Sequence, residues 1–125
     1  MKKLLLSLVL VFAFLSSSFA ECISGDCDNG YGIYLWDGGD KYDGDWKNGE
    51  MYGHGAYYFG DSGNRYAGEV KNGFRDGLGK FTWAGGDQYI GEFKANQMSG
   101  YGMYIYSDGT IESGIWKNDE LIESN

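Results

Sequence analysis

The sequence predicts an all-β fold: an elongated, twisted, single-layer antiparallel sheet of stacked β-hairpins. Three observations carry this. A phrase returns about every 23 residues, as YDGDWKNG from Tyr42, YAGEVKNG from Tyr66 and YIGEFKAN from Tyr89, with a worn copy, ESGIWKND, from Glu112. Within each copy, apolar and polar residues alternate with period two. The chain has 22 glycines and no proline, and it shows no helical periodicity beyond its N-terminus. A fixed period of this kind sets the architecture before any single residue is considered.

Two registers keep the same beat. The first glycine of each phrase falls at Gly44, Gly68, Gly91 and Gly114, spaced by 24, 23 and 23. Gly-x-Gly pairs fall at Gly30 and Gly32, Gly53 and Gly55, Gly77 and Gly79, and Gly100 and Gly102. The one extra residue fits the segment Gly60–Arg65, a surface loop that tolerates insertion.

Each unit reads as a hairpin. The first strand sets Tyr42, Gly44 and Trp46 on one face and Asp43, Asp45 and Lys47 on the other. The apolar face recurs as Tyr66, Gly68, Val70 and as Tyr89, Gly91, Phe93. The second strand is expected to start at the second glycine of each pair, giving Gly55, Tyr57, Phe59, then Gly79, Phe81, Trp83, then Gly102, Tyr104, Tyr106. Asn48-Gly49 and Asn72-Gly73 supply the turns, since both residue types reach positive φ at low cost. Ala95-Asn96 and Asn118-Asp119 stand in the same place. The distance to the return strand predicts a loop longer than two residues. Glycine weakens a strand interior, so its recurrence there predicts an aromatic ring laid over the bare backbone.

The phrase Tyr-x-Gly-Glu-Φ-Lys-Asn-Gly, then Gly-x-Gly and an aromatic strand, resembles the MORN (membrane occupation and recognition nexus) repeat. The resemblance covers about residues 29 to 118, with a half copy at 29–41, copies at 42–65, 66–88 and 89–111, and a degenerate unit at 112–119. It implies a sheet of hairpins used as a non-catalytic scaffold for protein contact and, in some members, lipid contact. The matching structural positions are Tyr42, Gly44, Gly49, Gly53 and Gly55, Tyr66, Gly68, Gly73, Gly77 and Gly79, and Tyr89, Gly91, Gly100 and Gly102. Asn96 departs from the turn glycine and Glu112 from the leading tyrosine, which puts a full hairpin in the last unit in question. Residues 120–125 read as a tail.

Residues 1–20 read as a secretory signal peptide. Lys2 and Lys3 lead an apolar run from Leu4 to Leu15, and a small-residue cleavage site ends at Ala20. Export to the periplasm or beyond, from a bacterial cell, is the expectation. Glu21 before Cys22 disfavours lipidation. Cys22 and Cys27, the only cysteines, then predict a disulfide closing an N-terminal cap at 21–28. The chain carries a formal net charge of −8, and removing Lys2 and Lys3 takes it to −10. That balance excludes nucleic acid and disfavours anionic membranes.

Little in the chain suggests chemistry. His54 is the sole histidine and sits in a turn-like slot. The Gly-x-Gly pairs feed no helix and no Lys-Ser/Thr, so they are not phosphate loops. Asp26, Asp28 and Gly30 echo a calcium loop without its spacing or final Glu. Asp37, Asp40, Asp61, Asp87 and Asp108 read as turn residues satisfying backbone groups. No cofactor, metal or catalytic residue is expected. Binding has a better foothold in the variable aromatic and apolar residues Tyr31, Met51, Tyr52, Phe74, Leu78, Met98 and Tyr101, which are expected in loops along one edge. The expected function is protein binding or scaffolding, with self-association included. A carbohydrate or cell-wall module is the first alternative and weak membrane-surface association the second.

Overall fold

The computed structural model describes residues 20–125. The leader at 1–20 therefore lies outside the described residues, apart from Ala20. Ten strands follow: β1 (Glu21–Gly25), β2 (Gly30–Leu35), β3 (Lys41–Lys47), β4 (Glu50–Tyr58), β5 (Arg65–Lys71), β6 (Phe74–Thr82), β7 (Gln88–Lys94), β8 (Gln97–Ile105), β9 (Ile111–Lys117) and β10 (Glu120–Ser124). They pair in chain order in one open sheet, and every pairing is antiparallel. Among the described residues, the only helical element is a short 3-10 turn at Asp37–Gly39.

The tight turns differ from the sequence expectation. Both central residues have positive φ in every copy: Asn48 (51°) and Gly49 (76°), Asn72 (50°) and Gly73 (83°), Ala95 (47°) and Asn96 (75°), Asn118 (50°) and Asp119 (67°). That is the two-residue type I′ geometry, whose twist matches the sheet. No longer loop follows, and the return strand starts at once, as at Glu50. The surplus length sits inside the strand as a bulge. Between Gly44 and Trp46 lies Asp45 alone, while the partner strand places Tyr52, Gly53 and His54 between Met51 and Gly55. The same two-residue surplus recurs opposite Glu69 and Glu92.

The bulge explains two letters of the phrase. The first glycine of each pair sits in it with φ of 92° (Gly53), 103° (Gly77) and 105° (Gly100), a region that L side chains rarely adopt. The next backbone N–H has no ladder partner, and the acidic residue supplies one. Asp45 Oδ2 accepts from His54 N–H at 3.2 Å, Glu69 Oε2 from Leu78 N–H at 2.5 Å and Glu92 Oε2 from Tyr101 N–H at 2.5 Å. The carboxylate that looked like surface charge is a built-in hydrogen-bond acceptor for the bulge.

One face of the sheet carries the core. Tyr42, Tyr66 and Tyr89 are its largest fully buried side chains. Each ring lies across the second glycine of its own repeat, so a Cβ at Gly55, Gly79 or Gly102 would overlap it. Each hydroxyl donates to a bulge carbonyl: Tyr42 to Asp45 O at 3.1 Å, Tyr66 to Glu69 O at 2.6 Å, Tyr89 to Glu92 O at 2.9 Å. Trp46, Val70, Phe93 and Trp116 continue the row, with edge-to-face contacts such as Tyr42–Trp46 (5.1 Å, 87°) and Tyr89–Phe93 (5.2 Å, 87°). Such pairs add about 0.5–1.5 kcal/mol each beyond their burial.

Both ends hold more structure than expected. Glu21–Gly25, read as part of a cap, is edge strand β1 on β2. Cys22 and Cys27 form a disulfide with their Cα atoms 5.9 Å apart, which ties that strand to the following turn. Residues 120–124, read as a tail, form β10 on β9, so the last unit is a hairpin after all. Glu112 occupies the tyrosine slot there, and its carboxylate accepts from the Tyr106 hydroxyl.

Candidate binding faces

Repeats stack through three recurring links. At the tight turns, Gly49 N–H donates to Asp28 O (3.0 Å), Gly73 N–H to Met51 O (3.0 Å) and Asn96 N–H to Arg75 O (3.0 Å). Asn96 and Asp119 add a second bond that a glycine could not make, accepting from Arg75 N–H at 2.9 Å and Met98 N–H at 2.8 Å. At the opposite ends of the hairpins, Asp40 accepts from the Tyr57 hydroxyl (2.7 Å) and Gly60 N–H (2.8 Å). Asp87 likewise accepts from the Tyr104 hydroxyl (2.8 Å) and Ser107 N–H (2.8 Å). Asp108 accepts locally from Thr110 N–H at 2.9 Å, and that bond holds its carboxyl below the ordinary range. Asp26 accepts from Asn29 and Asp28 N–H, both at 3.0 Å, and those bonds lower its pKa too. Its environment is that of a turn residue.

The seven residues singled out as binding candidates do not share an edge. All lie in strands. Met98 is only 8 % exposed and belongs to the core, so burial removes it as a surface anchor, while Met51 is partly buried and packs against that core. Tyr52 lies under the Lys47 ammonium, 4.9 Å from its ring centre. The Tyr31 hydroxyl donates to Asp43, and that bond raises its pKa. Phe74 is exposed beside a turn. Leu78 and Tyr101 are exposed on the face opposite the core. His54 is exposed.

Leu78 and Tyr101 belong to a patch that the repeat pattern obscured. On the outer face, register aligns Ile33, Asp43, Ala56, Ala67, Lys80, Ile90, Met103 and Ser113 in one row. The row is mixed early and apolar at Ile90 and Met103. Leu78, Ile90, Tyr101 and Met103 line one shallow depression, and all four are exposed, Leu78 by 62 %. The signal was present in the sequence as Asp43, Ala67 and Ile90 at equivalent positions, a drift out of the polar alternation.

The core face is also incompletely covered. Tyr34, Trp36, Tyr57, Phe59, Trp83 and Tyr104 are only partly buried. They form a run of tilted ring contacts such as Trp36–Tyr57 (5.5 Å) and Trp83–Tyr104 (5.1 Å). A cleft of about 220 Å³ opens among Met51, Tyr57, Phe59, Tyr66, Arg75 and Asn96. Burial lowers the Arg75 pKa from its ordinary value. Burial, reinforced by the Asp87 hydrogen bond, pushes Tyr104 up to about 12. Among the described residues, no group of three or more His, Cys, Asp or Glu side chains gathers at metal-binding distance.

An open, single-layer sheet of consecutive hairpins, the three central ones each locked by a tyrosine over a glycine, defines a β-repeat protein. The MORN repeat family model matches residues 29–41, 42–63, 66–88 and 89–111, more than half of the chain, and the protein belongs to that family. MORN repeats are non-enzymatic modules that generally mediate protein or membrane interactions. A comparison with curated proteins found no match.

Proposed function

We propose that this protein is an exported, non-catalytic module that binds another protein through the outer face of its sheet. The observation that carries this reading is the exposed patch of Leu78, Ile90, Tyr101 and Met103. Four neighbouring exposed apolar side chains mark an interaction surface better than scattered ones do. The acidic surface selects a partner with basic groups around an apolar centre. Export rests on the Lys2-Lys3 leader and the paired cysteines, and a bacterial periplasmic or extracellular setting goes with it. N-terminal sequencing of the exported product should begin at Glu21.

Crosslinking mass spectrometry in the native cell, paired with light scattering on the purified protein, tests the binding claim. The expected result is one recurrent partner, or self-association, that disappears in a Leu78→Ser, Tyr101→Ser double variant. No partner and no self-association would sink it. A second reading, carbohydrate binding, is favoured by the partly buried rings of the core face, because flat aromatic surfaces stack on sugars. A glycan array separates the two. Association with anionic membrane has the acidic balance against it.

A further inference from the structure

Arg75 stands where the repeat calls for an apolar side chain. It faces Val70 across the strand pair, as Met51 faces Trp46, Met98 faces Phe93 and Leu121 faces Trp116. Its guanidinium carbon lies 5.1–6.0 Å from the ring centres of Phe81, Phe93, Phe59 and Tyr66. Nε is buried with no hydrogen-bond partner. Of the five N–H donors that a guanidinium offers, one is donated within the described residues, from Nη2 to Asn96 O at 2.7 Å.

The nearby carboxylates bond to backbone N–H groups and make no hydrogen bond to Arg75. Asp119, whose field reaches Arg75, accepts from Met98 N–H, and Asp76 accepts from Ala95 N–H at 3.3 Å. A partly desolvated cation is thus held by rings and one carbonyl, without an anion bonded to it. The 220 Å³ cleft opens beside it, walled by Tyr57, Phe59 and Tyr66. Rings that can hold a flat body and a planar cation that can grip two oxygens together describe a receptor.

We propose that the Arg75 cleft binds a carboxylate carried on a ring, the carboxylate meeting the guanidinium and the ring stacking on Tyr57 or Phe59. Such a ligand comes from two sources, sugar acids or aromatic acids, and both present the same group. The cleft lies on the face opposite Leu78 and Tyr101, so it is independent of the protein-binding reading.

The test is NMR titration of the purified protein with glucuronate and benzoate, each against its neutral counterpart, glucose and benzyl alcohol. At least one acid should shift the Arg75 side-chain resonance and those of Tyr57 or Phe59 with saturation, and which acid does so identifies the source. The neutral counterparts should produce at least tenfold weaker binding. Arg75→Met installs the residue that two other repeats already hold, so the fold is retained, and binding should be lost. Arg75→Lys keeps charge without the planar fork and should weaken binding. The Leu78→Ser, Tyr101→Ser variant should leave it unchanged. Absence of saturable shifts with both acids, or equal binding by wild type and Arg75→Met, would overturn the proposal.

Discussion

The central repeat, 66–88, together with the loop that leads into it, differs from its neighbours in two places that its fold does not require. The flanking repeats place Met51 and Met98 against the aromatic row, and the central one places Arg75 there. The flanking hydroxyl–carboxylate links are Tyr57–Asp40 and Tyr104–Asp87. At the equivalent central positions stand Phe81 and Asn64. Asn64 keeps the backbone half of the link, accepting from Ala84 N–H at 2.9 Å. With no hydroxyl to receive, the carboxylate is absent as well, so two residues about 17 apart have changed together. The difference teaches that the tyrosine, glycines and bulge acid form a shared frame, while the rings and loop acids are adjustable in coordinated sets.

The largest effect should come from breaking the shared frame. Gly79→Ala and Gly102→Ala each drive a methyl group into a buried tyrosine and should each cost about 2–4 kcal/mol. Urea denaturation should return similar losses in the two repeats. A large loss in one and none in the other would mean that the frame is not shared.

Alkaline titration comes next. Burial pushes Tyr89 up to about 12, with the Glu92 charge adding to it, and burial likewise holds Tyr42 and Tyr66 well above the ordinary tyrosine range. A raised folded pKa means that the folded state holds protons that the unfolded state releases. This stabilisation is complete below about pH 10 and is lost as pH climbs toward 12. Absorbance at 295 nm should show these tyrosines ionising together with loss of the sheet. Full ionisation with the fold intact would contradict the geometry.

Arg75→Met should raise stability by about 1–3 kcal/mol, since it replaces a partly desolvated cation with a side chain that the neighbouring repeats already use. A lower midpoint in thermal unfolding would show that its ring contacts outweigh its desolvation. The smallest effect belongs to the hydroxyl link. Tyr104→Phe should lose about 1 kcal/mol. Installing Asn64→Asp and Phe81→Tyr together should gain more than the sum of the two single changes, by about 0.5–1 kcal/mol of coupling. An additive result would dissolve the inferred pairing.

Much of this was readable because the repeat writes each position several times. The Tyr42-type position, the Gly44-type strand and the Asn-Gly turns follow from alternation and local φ preferences. The bulge did not follow. Its surplus residues are counted along the chain in the same way whether they lie in a loop or inside a strand. Only the pairing of Gly44 with Gly55 and Trp46 with Met51 distinguishes the two cases. The candidate surface was half readable for the same reason. Variable residues were visible, but the face of those in the bulge, such as Leu78 and Tyr101, depends on its register, whereas Ile90 and Met103 follow plain alternation and were passed over because the equivalent residues Asp43 and Ala56 are not large and apolar. The disulfide at the N-terminal end was readable, but the strands β1 and β10 were not, because both lack the phrase and show themselves only by pairing.

Strict chain-order pairing has one further consequence. Backbone pairing joins each strand only to its neighbours in sequence, so a whole repeat can be added or deleted without disturbing any register beyond the join. Adjacent strands lie about 4.8 Å apart, so each added hairpin lengthens the molecule by about 10 Å. Gene duplication in steps of one phrase is therefore a ruler, and the reach of such a protein can evolve in fixed increments while the strand pairing within every existing repeat stays the same.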